Sequence, residues 1–154
     1  MKIKLLAAGI GAFLSIGLVA ESFAQARPAT VVRQRQAAML LQSKYFDTLG
    51  PMAQGKVPYD AALFARNAAY LDALSNMAWD GFTPATQEEK SRALPEVFSK
   101  AAEFKQAQDS YHSAVVKYVA ATKGGNEQTV KAAWSEVDKS CRTCHDNFRG
   151  RSGG

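Results

Sequence analysis

Cysteine and histidine are scarce: the 154 residues hold two of each, Cys141, Cys144, His112 and His145. That count excludes the disulfide frameworks that staple small secreted domains. A structural zinc site needs four protein ligands, so it would have to recruit the distant His112. Strand signals are missing as well, since no stretch alternates apolar and polar residues. No repeat and no low-complexity segment is present. Charge of one sign is nowhere concentrated: 19 basic and 14 acidic residues give a net charge of +5, spread along the chain. Nucleic acid is a poor partner for such a surface. Beyond residue 20 no apolar run is long enough to span a bilayer.

The few sulfur and imidazole groups present lie almost together. Cys141-Arg142-Thr143-Cys144-His145 is a C-x-x-C-H run, the pattern that attaches a c-type haem: each sulfur adds across a vinyl group and the histidine becomes an axial iron ligand. If residues 126–149 are helical, steps of about 100° place Cys144 and His145 to either side of Cys141 on one face. Val130, Trp134, Val137 and Phe148 share that stripe, so a haem would lie against the apolar face of the last helix. Three other readings compete. A thiol–disulfide redox pair also uses C-x-x-C, but where a strand meets a helix N-terminus, which lowers the thiol pKa. Zinc lacks ligands, and a disulfide across three residues of a helix has diverging side chains.

Residues 1–24 read as a secretory signal peptide. Lys2 and Lys4 precede an apolar run from Ile3 to Ala20, and Ser22-Phe23-Ala24 supplies a cleavage pattern ahead of Gln25. Ala24-Gln25-Ala26 is the second choice, with cleavage after Ala26. A membrane anchor fits less well, because the run is short and ends in a cleavage site. Address and motif support each other, since covalent c-haem bonds are made outside the cytoplasm in organisms with such signals; the expected location is the periplasm. Residues 25–154 suffice for one domain, and without Lys2, Lys4 and Glu21 it carries 17 basic and 13 acidic residues, net +4. With both cysteines taken by haem, the cofactor must act as the staple.

The rest of the chain repeats at a helical period. Pro28 opens a first helix to about Gln54, with Val31, Val32, Ala38, Met39, Phe46 and Leu49 along its stripe, and Gly50-Pro51 ends or kinks it. Asp60 caps a second of about 61–77, whose stripe is Leu63, Phe64, Asn67, Tyr70, Leu71, Leu74 and Met77. Residues 79–94 form the one long irregular segment, of a length suited to a crossover or a functional lid. Pro95 opens a third helix to about 122, with Val97, Phe98, Ala101, Phe104, Lys105, Gln108, Tyr111, Val115, Val116 and Val119 inward. Gly124-Gly125 ends it, and Asn126 caps the fourth. Short first and third links with a longer middle one predict an all-α fold, an antiparallel four-helix bundle with a covalent haem near its C-terminus.

A leader, four helices and a late C-x-x-C-H resemble the class II cytochromes c, most closely the cytochrome c′ family, over the whole mature chain. The resemblance is carried by Arg35-Gln36-Ala37-Ala38-Met39, Pro58-Tyr59-Asp60, the aromatics Trp79 and Phe82, Pro95-Glu96, and Cys-x-x-Cys-His-Asp-x-Phe-Arg at 141–149. It implies one haem c held through Cys141 and Cys144, with His145 as the proximal iron ligand and Arg149 keeping positive charge beside it. It also implies that Arg35 and Gln36 meet the propionates and that Trp79 and Phe82 crowd the distal side. Arg92 is a further propionate candidate. His112, between Ser110 and Ser113, reads as surface.

Met39 decides the activity. A thioether is a competent sixth ligand that gives a low-spin, electron-transferring haem, and it is also an ordinary apolar filler. In the family the residue here blocks the sixth position without binding it, whereas in low-spin relatives a methionine ligates. Arg35-Gln36, Trp79 and Phe82 favour the five-coordinate, high-spin branch. The expected function is then binding of NO and CO, which need less hydrogen-bond donation than O₂, with a possible electron-transfer role towards redox partner proteins. The alternative is a low-spin class II electron carrier with His145 and Met39 both bound. An enzyme such as a peroxidase lacks a distal acid–base pair, since no histidine or carboxylate accompanies Met39 on its stripe. Leu40, Leu41 and Tyr45 give the first helix a second apolar face, and family members commonly pair the first two helices in a homodimer.

Overall fold

The structure, a computed structural model, describes residues 26–151; the expected leader, residues 1–24, and its cleavage site at Gln25 lie outside them. Six α-helices follow in order: α1 (Pro28–Asp47), α2 (Gly50–Ala53), α3 (Ala61–Ser75), α4 (Glu96–Ser99), α5 (Ala101–Gly124) and α6 (Glu127–Phe148). The four long ones, α1, α3, α5 and α6, make the bundle, and no strand is found among the described residues. None of the helices is long and apolar enough to cross a membrane.

The caps expected from sequence are in place. Asp60 accepts the Leu63 N–H at 2.9 Å, and Asn126 accepts the Thr129 N–H at 2.9 Å, so each satisfies an orphan donor of a first turn. Gly55, at φ +71°, supplies the left-handed turn before Val57.

Two expected helices are broken. The first stops at Asp47 and restarts as α2, because Pro51 has no N–H to offer the carbonyl one turn back. The third splits at Lys100, whose φ of −117° and ψ of 47° are not helical. Nothing local demands that second break. The chain on either side of it is drawn to the core instead: Val97 is buried with Phe104 and Phe148, and Leu94 N–H donates to Phe148 O at 3.0 Å.

Burial follows the expected stripes in most positions and corrects them in several. Val32, Ala38, Phe46, Leu49, Phe64, Asn67, Leu71, Val97, Phe104, Tyr111 and Val115 are buried, as are Val130, Trp134, Val137 and Phe148 on α6. Tyr70, Met77, Ala101, Lys105 and Val116 were expected inward and are exposed, whereas Ala114 and the fully buried Tyr118 complete the α5 face. The face of α5 has rotated towards Tyr118 because both α3 and α6 pack on that helix, and only a shared face serves two neighbours. Asn67 earns its buried place by donating to Tyr45 O at 2.8 Å and Thr48 Oγ1 at 3.1 Å, tying down the carbonyl end of α1.

Candidate haem site

Contacts run α1 to α3, α3 to α5 and α5 to α6, which leaves α1 and α6 as the loosely joined pair. They meet where Phe46 stacks on Trp134, ring centroids 4.6 Å apart and planes 5° from parallel. From there they diverge around a cavity of about 650 Å³. One wall is α1, with Arg35, Gln36, Met39, Gln42 and Phe46; the opposite wall is α6, with Cys141, Cys144, His145 and Phe148. Trp79, Phe82 and Arg92 come from the crossover between α3 and α4, and Arg149 follows α6. Every site residue singled out from sequence therefore borders one space.

The electrostatics of the α6 wall distinguish the readings of the cysteine pair. Burial pushes the Cys141 thiol up to about 12, and burial raises Cys144 as well. A redox pair requires the reverse, a thiolate stabilised by a helix N-terminus or a cation. Both thiols are unpaired in a helix interior, and no cluster of three or more His, Cys, Asp or Glu side chains suited to a metal ion exists among the described residues. His145 is held below its ordinary value by burial and by the Arg92 charge, which favours the neutral imidazole with a lone pair to give. Two neutral thiols and an imidazole on one helical face, across the cavity from α1, form the donor set that covalent haem attachment requires.

A sequence model of the cytochrome c′ family matches residues 30–149. The chain belongs to the cytochrome c′ family. It is 39% identical over 124 residues to the cytochrome c′ of Alcaligenes xylosoxydans xylosoxydans, covering 80% of this chain and 96% of that protein. Among solved structures, a nitric oxide complex of a cytochrome c prime variant from Alcaligenes xylosoxidans superposes with a TM-score of 0.77 at 38% identity, covering 83% of this chain and 99% of that one. A carbon monoxide-bound variant of the same protein gives 0.76 at 38% identity, covering 82% and 98%. The cofactor of a cytochrome c′ is haem c, and Cys141 and Cys144 stand where its attachment pair is required.

Other side chains in this cytochrome c′ are placed in ways that sequence did not foretell. Arg35 is 3% exposed and turned into the crossover: Nη1 donates to Gly81 O at 2.6 Å and Thr86 Oγ1 at 3.0 Å, and Nη2 donates to Ser91 Oγ at 3.1 Å. Its guanidinium lies 4.3 Å from the Phe82 ring centre. Three of its five N–H groups are thus committed to protein. Gln36 is exposed at the cavity mouth, Met39 is half-buried, and Arg149 is exposed with Nη1 3.4 Å from His145 Nδ1.

His112 is not a surface residue. It is half-buried, with Nε2 2.8 Å from Trp79 Nε1 and 3.0 Å from Ser75 O, and the Trp79 N–H donates to Ser75 O at 2.6 Å. The indole N–H points into the protein. Two further lining groups went unseen in the sequence. Gln42 and Tyr111 form a buried pair, Tyr111 OH donating to Gln42 Oε1 at 2.6 Å and Gln42 Nε2 to Leu74 O at 3.1 Å. Gln42 lies one turn beyond Met39, so its spacing was the available signal. Asp47 also lines the cavity, contrary to the reading that no carboxylate accompanies Met39. Burial and the Asp138 charge raise its carboxyl and the His145 charge lowers it, so at the end of α1 it feels charges carried by α6.

Proposed function

We propose that the chain is a periplasmic, gas-binding cytochrome c′ with a five-coordinate, high-spin haem, and that it is not an enzyme. Haem, when bound, would supply an iron able to take up a diatomic gas. His145 would be the protein's ligand to that iron, and Cys141 and Cys144 would anchor the group to α6. Met39, opposite on α1, fills the gas side without ligating, excludes water and crowds larger molecules. Gln36, Arg92 and the remaining donors of Arg35 hold the propionates, and Arg149 keeps positive charge beside His145.

The observation that carries this reading is that the inward donors are spent. Trp79, Tyr111 and Gln42 all direct their N–H or O–H groups at protein acceptors, and Arg35 commits three donors to the crossover. With Trp79, Tyr111 and Gln42 donating to protein, the space around Met39 gives O₂ little to hold it, while NO and CO bind without such help.

The test uses the protein recovered from the periplasmic fraction, with Gln25 as its first residue. The ferric form is expected to show a high-spin spectrum that shifts on adding NO. A near-infrared sulfur-to-iron charge-transfer band would instead establish Met39 ligation and the low-spin electron carrier. Electron exchange with partner proteins is compatible with either state, and a homodimer through α1 and α3 is part of the proposal.

A further inference from the structure

A second cavity, of about 420 Å³, backs onto the first. Trp79, Phe82, Val97 and Phe104 line both, so the partition between them is one layer of side chains thick. Its outer part is formed by Phe98 and Ala101, with Gln108 beside them, and Ala101 is exposed at its rim. Apart from Gln87 and Gln108 the lining is apolar, the kind of surface that takes up gases such as xenon.

The four partition residues are not equally fixed. Trp79 is pinned through its N–H to Ser75 O, and Phe82 lies under the Arg35 guanidinium. Val97 and Phe104 have only packing contacts: Phe104 meets Phe82, Trp79 and Phe148 edge-on, at 5.0, 6.1 and 5.2 Å between centroids. They also flank Lys100, where the helix is interrupted, so α4 can shift against α5 without breaking a continuous helix. Phe82 touches Arg35 on the α1 side and Phe104 touches Phe148 on the α6 side. Opening this partition therefore reaches the space between the two walls of the main cavity, by a path that avoids Gln36 and Met39.

We infer that the second cavity is an antechamber for the diatomic gas, with Val97 and Phe104 as its inner gate. The inference rests on the gas-binding reading and adds the route by which NO or CO arrives. A gate alters the barrier and leaves the end states alone, so it slows arrival and escape together.

Ala101→Trp fills the antechamber from its exposed rim, replaces no residue that lines the haem cavity, and meets that cavity's lining only at the shared partition. Stopped-flow mixing of the ferrous holoprotein with CO, and displacement of bound CO by NO, should show both rate constants reduced about fivefold or more, the equivalent of roughly 1 kcal/mol of added barrier, with affinity held within about twofold. Crystals of the wild-type holoprotein under xenon should place an atom among Phe98, Ala101 and Phe104, and the variant should lose it. Unchanged rates in the variant, or a wild-type antechamber empty of xenon, overturns the inference. A spectrum that still shifts with NO keeps the gas-binding reading standing when the antechamber fails, and a spectrum indifferent to NO removes that reading whatever the xenon shows.

Discussion

Arg35 interrupts an otherwise apolar stretch of α1, and a charge so placed must find partners or leave the core. Its need was legible; its partners were not, because Gly81 O, Thr86 Oγ1 and Ser91 Oγ come from a crossover 46 to 56 residues further on and no periodicity announces them. The same holds for His112, whose flanking serines suggested solvent while Trp79 and Ser75 claimed it from another segment. Gly81 matters through closeness: a Cβ there would stand 2.7 Å from the Arg35 Cβ. Gly81→Ala must push Arg35 away from carbonyl and hydroxyl acceptors that are themselves buried. The expected loss is about 1–3 kcal/mol, the usual cost of overpacking, read as a lower urea midpoint at unchanged slope. A variant as stable as wild type would show that the crossover does not depend on the fit between these two residues. By contrast the C-x-x-C-H run was legible as a haem-attachment pattern, because its chemistry resides in a spacing along one helix and asks nothing of the rest of the chain.

At the scale of the elements, helices declare themselves by periodicity and their interruptions do so only when a special residue causes them. Gly50-Pro51 marked the end of α1 within a few residues. Lys100 marked nothing, since lysine is a good helix former; tertiary contacts at Val97 and Leu94 outweighed propensity there. The double-faced character of α1 was also visible, and the structure shows what became of it. Leu40 is 71% and Leu41 41% exposed, so α5 does not cover them. Leu41 and Tyr45 are one turn apart, and Tyr45 meets Tyr70 of α3 at 4.7 Å between centroids. With Met77, 59% exposed just beyond the C-terminus of α3, these residues leave an apolar face spanning the two helices proposed for the dimer. Leu41→Glu should weaken self-association roughly tenfold or more, since burying a leucine contributes about 1.5–3 kcal/mol and each 1.4 kcal/mol is a factor of ten. Sedimentation velocity across a dilution series reads this, and a wild-type chain that is monomeric throughout removes the dimer.

The whole molecule is a bundle held open on one side, and the closed side must carry the stability. That side is the core shared by α3, α5 and α6, where Tyr118 is fully buried with its hydroxyl 3.4 Å from Phe64 O and Tyr111 is closed in against Gln42. Burial raises both phenols above their ordinary value. The native state therefore keeps two protons that the unfolded chain releases at about pH 10. Their contribution is fully present below that pH and is lost as pH rises towards the native-state values. In that window stability should fall by about 2.7 kcal/mol per pH unit for the two groups together, over and above whatever other residues contribute. Stabilities from urea unfolding at about pH 9 and about pH 11, which straddle the onset of that window, should differ by about 2.7 kcal/mol from this source. Tyr118→Phe isolates the effect: it removes one titrating group and a long hydrogen bond, and should roughly halve the tyrosine share while leaving stability near neutral pH within about 1 kcal/mol of wild type. An undiminished slope in Tyr118→Phe would mean that the phenols are not the groups whose ionisation unfolds the closed side, and that the core of the bundle yields to alkali elsewhere.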